Sequence, residues 1–158
     1  MNTFVVRLKP LLLSLLISLG VGGLAAFFTK DAMAQYQQLN QPVGSPPSWV
    51  FGVVWTILFV LMGVSAYLVY SSNNKNKSEA LKIYGIQLVL NFCWTILFFG
   101  YQMRLAAFIL LILLWIFIVL MIAKFYQINP LAGLLQIPYL IWVTYAGYLN
   151  VAIYLLNR

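Results

Sequence analysis

Histidine is absent from this 158-residue chain, cysteine occurs once, at Cys93, and the only acids are Asp31 and Glu79. Each scarcity removes a class of chemistry. A structural zinc site needs about four Cys or His ligands, a His-based triad needs its imidazole, and paired-carboxylate hydrolysis needs two acids at one site. No metal ligands are therefore assigned, and ordinary acid-base catalysis has no pair of residues to run on. One cysteine cannot form an intrachain disulfide, so the redox compartment is not legible from it. Charge is sparse altogether: 7% of the residues carry one, against about 25% in an average soluble domain.

What is present is apolar. Hydrophobic residues make up 64% of the chain and aromatic residues 16%. So few charges cannot furnish the polar shell of a soluble globule, and the composition points to an all-α integral membrane protein. Nine Lys and Arg against two acids give a net charge of +7. In so apolar a chain, basic residues at span ends serve topology and anionic headgroups. The expected partner is the lipid bilayer, with no nucleic acid.

Charges and Pro/Gly punctuation divide the chain into five apolar stretches, at 10–28, 48–70, 80–99, 105–125 and 131–155. Each reaches the roughly 20 residues that cross a hydrocarbon core as a helix. Residues 1–158 are thus expected to form one domain, a single bundle of five transmembrane helices. The links 71–79, 100–104 and 126–130 are short, as antiparallel neighbours require, whereas 29–47 is long and carries Pro42, Gly44, Pro46 and Pro47. That stretch is read as a lid, stiffened where it enters the second helix.

Arg7 and Lys9 before the first apolar run, with Ala32-Met33-Ala34 after it, resemble a secretory signal. The run is longer than the usual 7–15 residues, and Lys30 and Asp31 separate it from the small-residue site, so a retained helix fits better. Ser14, Ser18, Gly22 and Ala26 recur every fourth residue on it. They let another helix approach closely, within the chain by preference or across a dimer interface. Arg7, Lys9, Lys75, Lys77, Lys82 and Lys124 fall on the N-terminal side, while Lys30, Arg104 and Arg158 fall opposite. This bias predicts a cytoplasmic N-terminus with the lid outside.

Three helices carry Trp and amide residues on one face: Phe51, Trp55 and Phe59; then Gln87, Asn91, Trp94, Thr95 and Phe98; then Pro138, Trp142, Ala146 and Asn150. Amides and indole N–H groups find no partners in lipid, so these faces are expected to turn inward. Trp49, at a span end, reads as an interfacial anchor. Spacing alone does not decide whether the inner tryptophans surround a flat apolar ligand or one another. Pro138 is expected to kink the fifth helix and widen the bundle on one side.

The segments Pro46-Pro47-Ser48-Trp49-Val50-Phe51-Gly52-Val53-Val54-Trp55, Leu90-Asn91-Phe92-Cys93-Trp94 with Phe98-Phe99-Gly100, and Pro138-Tyr139-Leu140-Ile141-Trp142 with Ala146 and Leu149-Asn150 resemble the tryptophan-rich sensory protein and translocator protein family, also known as TspO or the peripheral-type benzodiazepine receptor. The resemblance runs from Leu8 to Asn157. It implies a five-helix bundle, commonly a homodimer, with a pocket beneath the first connecting loop. By position, the pocket would use Tyr36, Pro46, Phe51, Trp55, Phe59, Asn91, Trp94, Phe98, Trp142, Ala146 and Leu149.

The activity so implied is that of a membrane sensor or regulator that binds tetrapyrroles, protoporphyrin IX or haem, and also accepts benzodiazepine-receptor-type ligands. No cofactor is obligatory. The alternatives are light-dependent porphyrin breakdown, with Trp55 and Trp142 as the catalytic pair, and porphyrin or sterol transport. Five spans and no intramembrane acid or base put transport last. Without histidine, axial ligation of haem iron would fall to Tyr, Met or Cys93, which favours free-base porphyrin. Its propionates are expected at the pocket mouth near Lys30. The expected location is a bacterial cell membrane.

Three departures from the family pattern stand out: Gly44 replaces the lid Trp, Leu110 stands where many members have Asp, and Tyr154 replaces a late Trp. The first is expected to remove a contact with ligand or with helix five. Leu149, Tyr154 and Arg158 also fit a permissive sterol consensus.

Overall fold

The computed structural model describes residues 5–158. Five spans cross the bundle: α1 (Leu8–Thr29), α3 (Ser48–Tyr70), α4 (Lys77–Thr95) with a terminal π turn (Ile96–Gly100), α5 (Arg104–Ile128), and the pair α6 (Pro130–Leu134) and α7 (Ile137–Leu156). The short α2 (Ala32–Gln37) lies between the first two spans. The segment expected to be an irregular lid therefore holds a turn and a half of helix, which carries Tyr36 into the bundle.

Two of the four small residues of α1, Ser14 and Ser18, are used within the chain. Ser14 Oγ donates to Gly63 O at 2.7 Å and Ser18 Oγ to Phe59 O at 2.8 Å, which ties α1 to α3. A Cβ on Gly63 would lie 2.8 Å from Leu15 Cδ2 and 3.0 Å from Leu15 Cα, so that glycine sets how closely the helices approach. On Gly22 the nearest atoms it would meet are those of the Phe59 ring, at 2.6 Å. Gly63→Val is expected to cost about 1–3 kcal/mol, because backbone must move. Gly22→Ala should cost less, since a ring can turn. Thermal melts of the two variants in one detergent check the order, and equal melts would refute it.

The fifth span is broken at residues 135–136, just before Pro138, instead of running as one helix through it. Asn129 caps α6, its side chain accepting from Leu131 N–H at 3.0 Å and Ala132 N–H at 3.4 Å, and α6 then ends at Leu134. The chain restarts at Ile137, which puts Pro138 in a first turn, where its missing N–H removes no helical bond. The interruption also frees the Ala132 carbonyl, which accepts from buried Ser65 Oγ at 2.6 Å. Residues of this interruption line neither the chamber nor the side cavity described below.

The inward amides find the partners their depth requires. Asn91 Nδ2 donates to Tyr139 Oη at 2.8 Å, and Tyr139 Oη donates to Gln87 Oε1 at 2.7 Å. Trp94 Nε1 donates to Asn150 Oδ1 at 2.9 Å, and Asn150 Nδ2 to Arg104 O at 2.8 Å. These bonds fasten α4, α5 and α7 together in a region without water to substitute for them. Trp49 faces outward and is 69% exposed.

Candidate functional site: an aromatic chamber and a side cavity

Under α2 lies a small chamber walled by Phe51 and Trp55 of α3, Trp94, Phe98 and Phe99 of α4 and its π turn, and Trp142, Ala146 and Leu149 of α7. Tyr36 roofs it. Its ring centroid lies 5.9 Å from Phe51, 5.8 Å from Phe98 and 5.2 Å from Phe99. Trp55 is the hub below, 6.2 Å from Trp94 and 6.4 Å from Trp142, within the range at which aromatic rings attract. Eight of the residues expected at a pocket thus meet in one place.

The π turn was not legible from a 3.6-residue period. Tyr101 N–H donates to Ile96 O at 2.9 Å, a bond five residues long. This wider turn lets both Phe98 and Phe99 close on the roof, with Trp94 stacked on Phe98 at 5.5 Å. Phe99 was absent from the expected set.

Only about 20 Å³ is free in this chamber, room for roughly one water. A second cavity of about 320 Å³ opens between α1, α3 and α4, within the size range of small-molecule sites, about 300–1,000 Å³. Phe59 and Asn91 line this side cavity instead of the chamber. Pro46 lines neither and serves the entry to α3. On the α1 side the wall is formed by Gly22, Gly23, Ala26 and Thr29, with Lys30 at the lid end. Phe51, Trp55, Trp94 and Phe99 belong to both cavities and form the partition between them. Among the three deep tryptophans, Trp142 alone has a buried indole N–H without an acceptor among the described residues.

Residues that spacing did not single out hold the lid. Tyr148 Oη donates to Val43 O at 2.7 Å, and Tyr145 Oη donates to Gly44 O. Asn157 and Asn40 exchange two bonds of 3.0 Å, side chain to backbone in each direction. On the helix-five side the contact expected to be lost at Gly44 is made up: helix five still grips the lid there, through backbone. Gly44 has φ +89°, a conformation in which Trp would be strained. Burial, with a smaller push from Tyr145 and a partial offset by Arg104, raises the Tyr36 phenol to about 12, so the roof stays uncharged at physiological pH.

The sterol consensus comes apart in three dimensions. Leu149 is buried in the chamber wall, whereas Tyr154 and Arg158 border a separate groove on the lid side. The three present no common outer face. Leu110 packs against the hydrophobic core.

A polytopic five-helix bundle with an aromatic chamber under a latched lid defines an integral membrane protein with an internal, stacking-type recess. The chain belongs to the TspO/MBR family, whose pattern matches residues 13–156. It is 41% identical over 149 residues to the tryptophan-rich protein TspO of Chlorobaculum tepidum, covering 93% of this chain and 94% of that one. It is 38% identical to the tryptophan-rich sensory protein of Cereibacter sphaeroides, over 73% of this chain and 72% of that one. With the translocator protein of Bos taurus it shares 34% identity, over 87% of this chain and 83% of that one.

Proposed function

We propose that this protein is a membrane sensor or regulator that takes up a flat tetrapyrrole, protoporphyrin IX in preference to haem, between its aromatic helices. Related proteins named as a sensory protein and as a translocator protein support the general role. The observation that carries the ligand class is the thin partition: four aromatic side chains separate a closed chamber from a side cavity of about 320 Å³. Turning those rings joins the two spaces and offers stacking faces on both sides of a planar macrocycle. Tyr36 in the chamber, with Met33 and Lys30 at the side cavity, are the wall residues with an atom suited to haem iron, and none is a histidine or a cysteine, which favours the metal-free macrocycle. Lys30 at the side cavity offers a charge for a propionate. Protoporphyrin IX should quench tryptophan emission saturably, and quenching linear in porphyrin would reject the proposal.

A second reading is favoured by one distance. Trp55 and Trp142 lie edge to face at 6.4 Å, both against the chamber, where each can meet an excited porphyrin. Illuminated in air, protein with protoporphyrin IX should then give a product spectrum that a Trp55→Phe, Trp142→Phe double variant does not. Identical decay would remove the reading.

We also propose that the N-terminus is cytoplasmic and the lid outside, in a bacterial cell membrane, on the six-to-three bias of basic residues. Val43 is 93% exposed on the lid. An impermeant maleimide should label Val43→Cys on intact cells and spare Lys75→Cys. The reverse pattern would invert the topology.

A further inference from the structure

An open groove of about 490 Å³ lies between the start of α5 and the end of α7, bordered by Met103, Arg104, Leu105, Tyr154 and Arg158. It shares no wall residue with the chamber or the side cavity. Two of the three basic residues on the lid side meet here. Neither is neutralised, since the only ion pair among the described residues joins Lys124 to Glu79 at 3.4 Å. Arg104 Nε is buried and has no acceptor, while its guanidinium carbon lies 5.4 Å from the Phe98 ring centroid. A guanidinium N–H withdrawn from water without an acceptor is costly, and an anion in the groove would relieve that cost. α5 begins at this point with no side-chain cap, so its first-turn N–H groups also favour negative charge.

The groove continues into an apolar track. Leu105, Ile109, Ile112 and Ile116 are all exposed, at spacings of four, three and four, and therefore form one outward stripe down α5. An anionic head above an exposed apolar stripe, at the end of two spans, matches one chemical class. We propose that this groove is a binding site for an anionic phospholipid, with its phosphodiester between Arg104 and Arg158 and an acyl chain along the α5 stripe. Guanidinium groups suit phosphate oxygens through paired N–H bonds. The groove is separate from the chamber, although Arg104 packs over Phe98 of the chamber wall.

The test uses the purified full chain in detergent, offered equal amounts of phosphatidylglycerol and phosphatidylcholine, with bound lipid counted by native mass spectrometry. Phosphatidylglycerol should be retained in preference. Arg158→Gln should cut that retention about fivefold, and Arg104→Gln with Arg158→Gln should bring it to the phosphatidylcholine level. Arg158 is exposed and makes no side-chain hydrogen bond in the structure, so its variant tests the site with the fold intact. Arg7→Gln with Lys9→Gln, at the opposite membrane face, should leave retention unchanged. Equal retention of the two lipids, or full retention by the double arginine variant, would overturn the site. Displacement by millimolar inorganic phosphate would assign it to a free anion and overturn the lipid.

Discussion

Ala146→Leu is expected to weaken protoporphyrin IX binding by roughly 5- to 150-fold, the equivalent of the ~1–3 kcal/mol that overpacking costs. Ala146 lies in the chamber wall, where only about 20 Å³ is free, and the added side chain takes room that opening of the partition would otherwise give to the ligand. Ile141 is on the same helix but faces outward, 65% exposed. Ile141→Ala should therefore bind as the parent does. Fluorescence titration of both variants checks the pair, with a thermal melt to show that Ala146→Leu remains folded. Equal affinities for parent and Ala146→Leu would mean that the ligand lies elsewhere.

The second large effect concerns the bundle itself. Tyr139→Phe removes one hydroxyl and leaves two buried groups without partners, Asn91 Nδ2 and Gln87 Oε1. Each orphaned group costs about 1–3 kcal/mol in proteins generally, and transmembrane measurements run lower, so about 2–3 kcal/mol is expected in total. For a chain of this size that is a fall in melting temperature of about 5–10 °C. Tyr101, 70% exposed, supplies the control: Tyr101→Phe should melt with the parent. If Tyr139→Phe also melts with the parent, the amides have found other partners and the network does not brace the helices.

The spans were legible because hydropathy and helix length are properties of contiguous sequence. Inward placement of Asn91, Gln87 and Asn150 followed from the cost of amides in lipid, and the bonds of Asn91 and Gln87 to Tyr139 and of Asn150 to Trp94 are its outcome. Pro138 was misplaced because a proline inside an apolar run does not say whether the helix bends through it or stops and restarts before it; Asn129, an N-cap nine residues earlier, settles that only once α6 is seen to end. The lid latches were hidden for another reason. Nothing local marks Tyr145, Tyr148 or Asn157 as a latch, and their partners lie more than 100 residues earlier in the chain. The side cavity depends on what is missing, since Gly22, Gly23 and Ala26 read as packing until the gap beside them is seen.

Five indole N–H groups make the central claim directly observable. In the proton–nitrogen correlation spectrum of the labelled protein, each tryptophan gives one indole signal. Trp55, Trp94 and Trp142 line the chamber, Trp115 donates outside it to Thr144 Oγ1 at 2.9 Å, and Trp49 faces outward. On addition of protoporphyrin IX, the Trp142 signal, whose N–H has no acceptor in the closed chamber, should move most. Trp55 and Trp94 should follow, with Trp49 and Trp115 unmoved. Shifts confined to Trp49 and Trp115, or no shift at saturating porphyrin, would contradict an internal tetrapyrrole site.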